Sequence, residues 1–116
     1  MLKETIEHIE YKGEKYPLVF NLNVMEKIQD EYKTIDAWGA LTDGEGGEVN
    51  VKALIFGITE MINEGLDIEN DENGTNRAFV NHKKVGRMLS EIGLNELTKT
   101  ANDLVIESTK DDSKNA

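Results

Sequence analysis

Residues 9–38 read IEYKGEKYPLVFNLNVMEKIQDEYKTIDAW, and they are the most informative segment for predicting the fold. Apolar and polar residues alternate on both sides of a Gly-containing turn, which is the pattern of a β-hairpin. Beyond Phe20 the apolar residues change to helical spacing, with Met25, Ile28 and Tyr32 on one face. The stretch therefore predicts a β-hairpin that leads directly into a helix.

Further helices are predicted where an Asn or Thr precedes a run of apolar residues at helical spacing. The predicted N-caps are Asn23, Thr34, Asn50, Asn81 and Asn95. Gly65 is expected to end the central helix, and residues 66–79 are expected to form an acidic loop. The predicted fold class is α+β and mostly helical: an N-terminal β-hairpin packed on a cluster of about four helices. Residues 1–110 form a single domain in this prediction, and residues 111–116 form a disordered, flexible polar tail.

Length and composition narrow the class of protein. The chain has 116 residues, enough for one hydrophobic core, and no cysteine for a disulfide or a thiolate metal site. No apolar run approaches the roughly 20 residues that span a bilayer. The N-terminal residues MLKETIEHIE lack the apolar segment of a secretory signal. We therefore expect a cytoplasmic protein that does not associate with membranes.

The net charge of −10 argues against binding to nucleic acid, because a phosphate backbone requires clustered Lys and Arg. Residues 43–48 and 64–76 together hold eight acidic residues and no basic one. Both segments are expected to be loops. His82, Lys83, Lys84 and Arg87 form a small basic patch, which is expected to balance the preceding acidic segment.

Metal sites are not expected. A calcium-binding loop with Gly74 at its sixth position would place Glu69, Asp71 and Asn73 at its first, third and fifth positions. Val80 would then take the twelfth position, where a bidentate Glu is needed, so the main ligand is missing. The two histidines lie in separate predicted elements and lack the spacing of a zinc site.

Catalysis is not expected either, so the prediction contains no catalytic residue and no cofactor. No serine lies in the G-x-S-x-G context of a nucleophile elbow. No acidic residue lies inside an apolar run, where burial would raise its pKa. The sequence favours a binding protein over an enzyme.

The candidate partner-binding residues are Trp38, Met61 and Met88, in a groove between the central helix and a neighbour. Tryptophan is enriched at binding hot spots, and methionine surfaces adapt to varied partners. The alternative is that all three side chains fill the core. Gly57 and Gly86 lie inside predicted helices, where glycine is unfavourable unless a close neighbour requires it.

Several separated phrases resemble one family when they are taken in order. They are YKGEKYPLVF at 11–20, NLNVMEKIQDEY at 21–32, IDAW at 35–38, VKALIFGITEMINEG at 51–65 and KKVGRMLSEIGL at 83–94. Together with the polar tail after VIESTK, they are similar to the tail assembly chaperones of long-tailed phages and prophages of Gram-positive bacteria. The resemblance covers roughly residues 9–110.

The resemblance implies a non-enzymatic chaperone in the host bacterial cytoplasm that is absent from the mature virion. Members of this family bind the tape-measure protein, keep it soluble and help tail-tube subunits polymerise around it. Some members self-associate, and several produce a longer frameshifted product. Two alternatives remain open: an acidic DNA-mimic inhibitor, and a structural tail or connector component.

Overall fold

The structure of this chain, a computed structural model, describes residues 6–43 and 47–114, with side chains described as far as Ser108. It confirms the predicted α+β class, with an N-terminal β-hairpin packed on helices. The elements are β1 (Ile6–Tyr11), β2 (Glu14–Val19), α1 (Leu22–Tyr32), α2 (Ile35–Thr42), α3 (Val51–Asn73), α4 (His82–Ile92) and α5 (Leu94–Lys114). The described part of the chain therefore contains five helices.

The hairpin is closed by a turn of two residues. β1 and β2 pair antiparallel, with Tyr11 opposite Glu14 at the turn end and Ile9 opposite Tyr16. Lys12 and Gly13 both have positive φ, 52° and 81°. Positive φ at both central residues is the feature of a type I′ turn, whose twist matches that of the strands.

β2 is buried on both of its faces. Tyr16 and Leu18 on one face and Pro17 and Val19 on the other are all buried. Pro17 is tolerated because it lies opposite His8, three pairs beyond the hydrogen-bonded pair Tyr11–Glu14 that flanks the turn. Hydrogen-bonded and non-hydrogen-bonded pairs alternate along an antiparallel ladder, so the nitrogen of Pro17 points away from β1. Gly65 of α3 lies against it, and a Cβ added there would lie 2.8 Å from both Pro17 Cβ and Pro17 Cγ.

Three of the predicted N-caps are confirmed and two are displaced. Thr34, Asn50 and Asn81 each accept a hydrogen bond from a backbone N–H in the first turn of α2, α3 and α4. α1 begins two residues earlier than predicted, because Asn21 Oδ1 accepts from the backbone N–H groups of residues 23 and 24. Asn95 lies inside the first turn of α5, which begins at residue 94.

The prediction that Gly65 ends the central helix is wrong. α3 continues for two further turns to Asn73, and its true C-cap is Gly74, which has the left-handed φ of 66°. The helix continues because Leu66, four residues after Ile62, is also fully buried and extends the apolar stripe. The expected acidic loop of residues 66–79 is therefore helical over its first half.

The core is one continuous cluster of buried side chains from both strands and all five helices. Within the part of the chain that the structure describes, no helix has the length and apolar character needed to cross a membrane. The backbone of α5 is helical as far as Lys114, so helical structure enters the segment 111–116 that was expected to be a flexible tail. Residues 115 and 116 lie outside the described residues.

Candidate functional site

The structure places all three candidate partner-binding residues in the core. Trp38 is 1% exposed, and Met61 and Met88 are fully buried. As direct surface contacts they are therefore not supported, because a partner cannot reach Met61 or Met88 without opening the core. Their placement on the buried stripes of α3 and α4 follows from ordinary helical packing.

Trp38 explains one of the two interior glycines. Its Nε1–H donates to the Ala53 carbonyl oxygen at 2.8 Å, and its ring lies directly over Gly57. The close neighbour expected at Gly57 is thus the indole of this chain. Gly86 differs, because a Cβ there would make an ordinary contact of 3.6 Å with Ile55.

An open apolar groove, here called the α2–α5 groove, lies directly above Trp38. Its volume is about 450 Å³. The lining residues are Ile35, Asp36, Trp38, Gly39, Ala40, Asp43, Asn102, Val105 and Ile106. Ile106 forms part of one wall and is 59% exposed, which is unusual for a large apolar side chain. Trp38 is thus part of the floor of a surface groove even though almost all of its own surface is covered.

The α2 side of the groove includes two small residues. Gly39 and Ala40 lie on α2, and a Cβ added at Gly39 would meet no atom within 4 Å. Small residues permit the backbone of a second helix to approach closely. Two carboxylates, Asp36 and Asp43, line the same groove. An apolar floor with an acidic lining fits an apolar segment that carries basic residues.

A second feature is an acidic stripe on α3, formed by Glu60, Glu64, Asp67 and Asp71. Their spacing of four, three and four residues places them on one face of the helix. Glu64 Oε2 accepts hydrogen bonds from the side-chain amides of residues 21 and 23, at 2.8 and 3.0 Å. These acids are therefore held on a rigid helix, whereas the sequence predicted that most of them would lie in a loop.

Beside this stripe, the segment of residues 75–80 is held in place by two asparagines of α3. Asn63 donates to the Val80 carbonyl oxygen and accepts from the Val80 N–H, at 3.0 and 2.8 Å. Asn70 makes the same pair of hydrogen bonds with Arg77, both at 3.0 Å. Phe79 lies between Arg77 and Val80, the two residues held by these hydrogen bonds, and is 57% exposed. Sequence reasoning missed this surface, because it assigned residues 66–79 to a polar, acidic loop and did not consider Phe79 separately.

The residues considered for calcium do not form a binding loop. Glu69, Asp71 and Asn73 all belong to α3, where a helix cannot wrap around an ion. Glu69 contacts His8 Nε2 at 3.3 Å and Arg77 Nη1 at 3.7 Å. Across the described residues, no group of three His, Cys, Asp or Glu side chains is placed to hold a metal ion.

Comparison of the chain with protein-family models, with curated proteins and with solved structures gave no match.

Proposed function

We propose that this chain is a non-enzymatic assembly chaperone that binds the phage tape-measure protein through the α2–α5 groove. The observation that carries the proposal is the groove itself: an open apolar surface above Trp38, with Ile106 exposed on its wall. Exposed apolar patches on soluble proteins commonly mark sites of interaction. The tape-measure assignment comes from the family resemblance.

The form of the groove suits a helical client. α2 supplies the small residues Gly39 and Ala40 to one side, and α5 supplies Val105 and Ile106 to the other. An amphipathic helix can place its apolar side chains between them, as helices do in grooves of other binding proteins. The acidic surface of the chaperone then remains in water and keeps the complex soluble, since its net charge is far from zero.

The test is co-expression with the tape-measure protein of a phage or prophage whose genome encodes this chain. The wild-type chain is expected to raise the soluble fraction of that protein. Ile106→Glu is expected to abolish the effect, because it places a charge in the apolar groove. Leu22→Glu is the matched control: Leu22 is 65% exposed, lies outside the groove and receives the same change.

A second pair of variants tests the shape of the groove. Gly39→Leu fills it from the α2 side and is expected to prevent client binding. Gly39→Ala adds a Cβ in open space and is expected to leave binding nearly unchanged. Equal solubilisation by the wild-type chain, Ile106→Glu and Gly39→Leu, with all three folded, would contradict the proposal.

An acidic decoy that mimics DNA is the second candidate function, and the acidic stripe on α3 favours it. Mimicry needs carboxylates at regular intervals on a rigid surface, and Glu60, Glu64, Asp67 and Asp71 meet that condition. The stripe is short, and two amides already engage Glu64, so we rank this function second. Competition with DNA for a phage or host nuclease, lost on charge reversal of Asp67 and Asp71, would favour the decoy.

The third candidate function, a structural tail or connector component, can be distinguished from a chaperone by whether the protein is present in the mature virion. Abundant peptides of this chain in purified virions would support it and would contradict the chaperone function.

A further inference from the structure

A small pocket lies at the turn end of the hairpin, and we call it the turn pocket. Its volume is about 280 Å³. It is lined by Tyr11, Lys12, Glu14, Tyr16, Lys84 and Arg87. The hairpin supplies the first four residues, and the N-terminal half of α4 supplies the other two. The pocket is separate from the residues that line the α2–α5 groove.

The turn pocket carries a local excess of positive charge in a chain whose net charge is −10. Lys12, Lys84 and Arg87 line it, and none of them takes part in the ion pairs found among the described residues. The single acidic lining residue, Glu14, contacts Arg77 Nη2 at 3.3 Å, and Arg77 also contacts Glu69. Three cations therefore remain without an anionic partner in the described part of the chain.

Aromatic rings hold two of these three cations, Lys12 and Lys84, close to the pocket. The Nζ of Lys12 lies 5.7 Å from the centre of the Tyr11 ring. The Nζ of Lys84 lies 5.3 Å from the centre of the Tyr16 ring. Both distances fall within the range of cation–π attraction. Lys12 is also positioned by the type I′ turn, which fixes its backbone at φ 52°.

The tyrosines themselves add hydrogen-bond donors. The rings of Tyr11 and Tyr16 are largely buried, with 7% and 3% of each residue exposed. Neither hydroxyl oxygen is a buried atom without a partner, and neither makes a hydrogen bond to another described residue. Each hydroxyl therefore keeps some contact with solvent, and both tyrosines belong to the pocket lining. A phenolic O–H there is free to donate to a bound anion.

We propose that the turn pocket binds an oxyanion, either a phosphate group or a carboxylate of an acidic peptide. A Lys, an Arg and phenolic O–H donors around one small cavity match the needs of such a group, because charge-assisted hydrogen bonds to oxyanions are short and strong. The planar guanidinium of Arg87 suits bidentate contact with either group. The proposal does not depend on the chaperone function.

The experiment is an NMR titration of the isotopically labelled full chain, followed through its backbone amides. Inorganic phosphate and a hexaglutamate peptide are added in separate series, each compared with sodium chloride at equal ionic strength. We expect saturable shifts at residues 11–16 and 84–87 with phosphate, with the peptide or with both. The series that saturates identifies the source of the oxyanion.

Three variants locate the site. Arg87→Gln is expected to weaken binding by about tenfold, the usual effect of losing a hydrogen bond to a charged group. Tyr16→Phe keeps the ring and its cation–π contact but loses the hydroxyl, and is expected to weaken binding by about fivefold. Lys83→Gln is the matched control, because this lysine lies on α4 outside the pocket lining and loses the same charge.

Each outcome decides the proposal. Saturable binding that Arg87→Gln and Tyr16→Phe weaken more than Lys83→Gln supports it. Shifts that match those of chloride, or that Lys83→Gln weakens as much as Arg87→Gln, overturn it in favour of general charge screening. The spectrum of each variant reports directly whether it is folded.

Discussion

The indole of Trp38 occupies the space that a side chain at position 57 would fill. A Cβ on Gly57 would clash with Trp38 Cζ2 and would lie 2.7 Å from Trp38 Cε2. The indole cannot move away easily, because its Nε1–H donates a hydrogen bond to the carbonyl oxygen of Ala53, which lies on α3 together with Gly57. The large indole of Trp38 thus packs directly on Gly57, which has no side chain, and this contact joins α2 to α3. Trp38 also forms the floor of the α2–α5 groove.

Gly57→Ala is therefore expected to destabilise the protein by about 1–3 kcal/mol, the usual cost of overpacking a core. The loss should appear even though alanine favours a helix. Gly39→Ala is the control, because its Cβ meets no atom within 4 Å. It should stabilise the protein by about 0.5–1 kcal/mol. Chemical denaturation measures both, and a neutral Gly57→Ala would contradict the observed contact.

Thr59 is a buried residue whose hydroxyl has no hydrogen-bond partner among the residues that the structure describes. Thr59→Val replaces that hydroxyl with a methyl of similar size. It should stabilise the protein by about 1 kcal/mol or more, because an unpaired buried polar group is costly.

Thr42→Val is the matched control for this prediction. Thr42 is equally buried, but its Oγ1 donates to the Trp38 carbonyl oxygen at 3.0 Å. Loss of that hydrogen bond should destabilise the protein by about 1 kcal/mol. Thermal or chemical unfolding should therefore move in opposite directions for the two variants, and a shift in the same direction would refute the assignment.

Asn63 holds the segment that presents Phe79, through two hydrogen bonds to Val80. Asn63→Ala should cost about 1–3 kcal/mol, since both backbone groups of Val80 lose their partner. It should also accelerate hydrogen exchange at the Val80 amide by more than the global loss of stability explains. Asn95→Ala, an exposed change on α5, should alter neither quantity appreciably. Unchanged protection of the Val80 amide against hydrogen exchange would mean that the two hydrogen bonds from Asn63 do not hold this segment in place.

The raised pKa of Tyr32 predicts that the folded protein loses stability at alkaline pH. Burial raises the pKa of its phenol above 10.0, and the neighbouring Glu31 carboxylate raises it further. The neutral phenol is thus favoured in the folded state. Its contribution to the stability of the protein is complete below pH 10 and is lost as the pH rises through the pKa that the phenol has in the folded state. Denaturant titrations at pH 9 and pH 11 should show a smaller loss for Tyr32→Phe than for the wild-type chain. An equal loss in both proteins would contradict the raised pKa.

Much of the fold follows from interactions that are local in the sequence. Thr34, Asn50 and Asn81 cap their helices as predicted, because a cap depends on residues only two or three positions away. The hairpin was predictable for the same reason, since Gly13 supports the tight turn between alternating strands. The position of the first cap was misjudged, because Asn21 and Asn23 are both suitable and only the structure shows which one accepts.

Errors arose where a distant residue determines the role of a local one. Gly65 has the features of a helix end in the sequence, but it lies inside α3, where Pro17, far away in the chain, packs against it and leaves no room for a side chain. The apolar spacing from Ile62 to Leu66 was the available signal that the helix continues. The acidic residues beyond Gly65 therefore form a rigid stripe instead of a loop.

The candidate site shows the same division. The caps, the strand alternation and the apolar helical faces could be predicted from the sequence, because each depends on neighbours within about one helical turn. Packing between elements determines that Met61 and Met88 are inaccessible, that Trp38 lies beneath an open groove and that Phe79 is exposed to solvent. Exposure depends on which elements cover a residue, and that covering is set by packing between segments far apart in the chain.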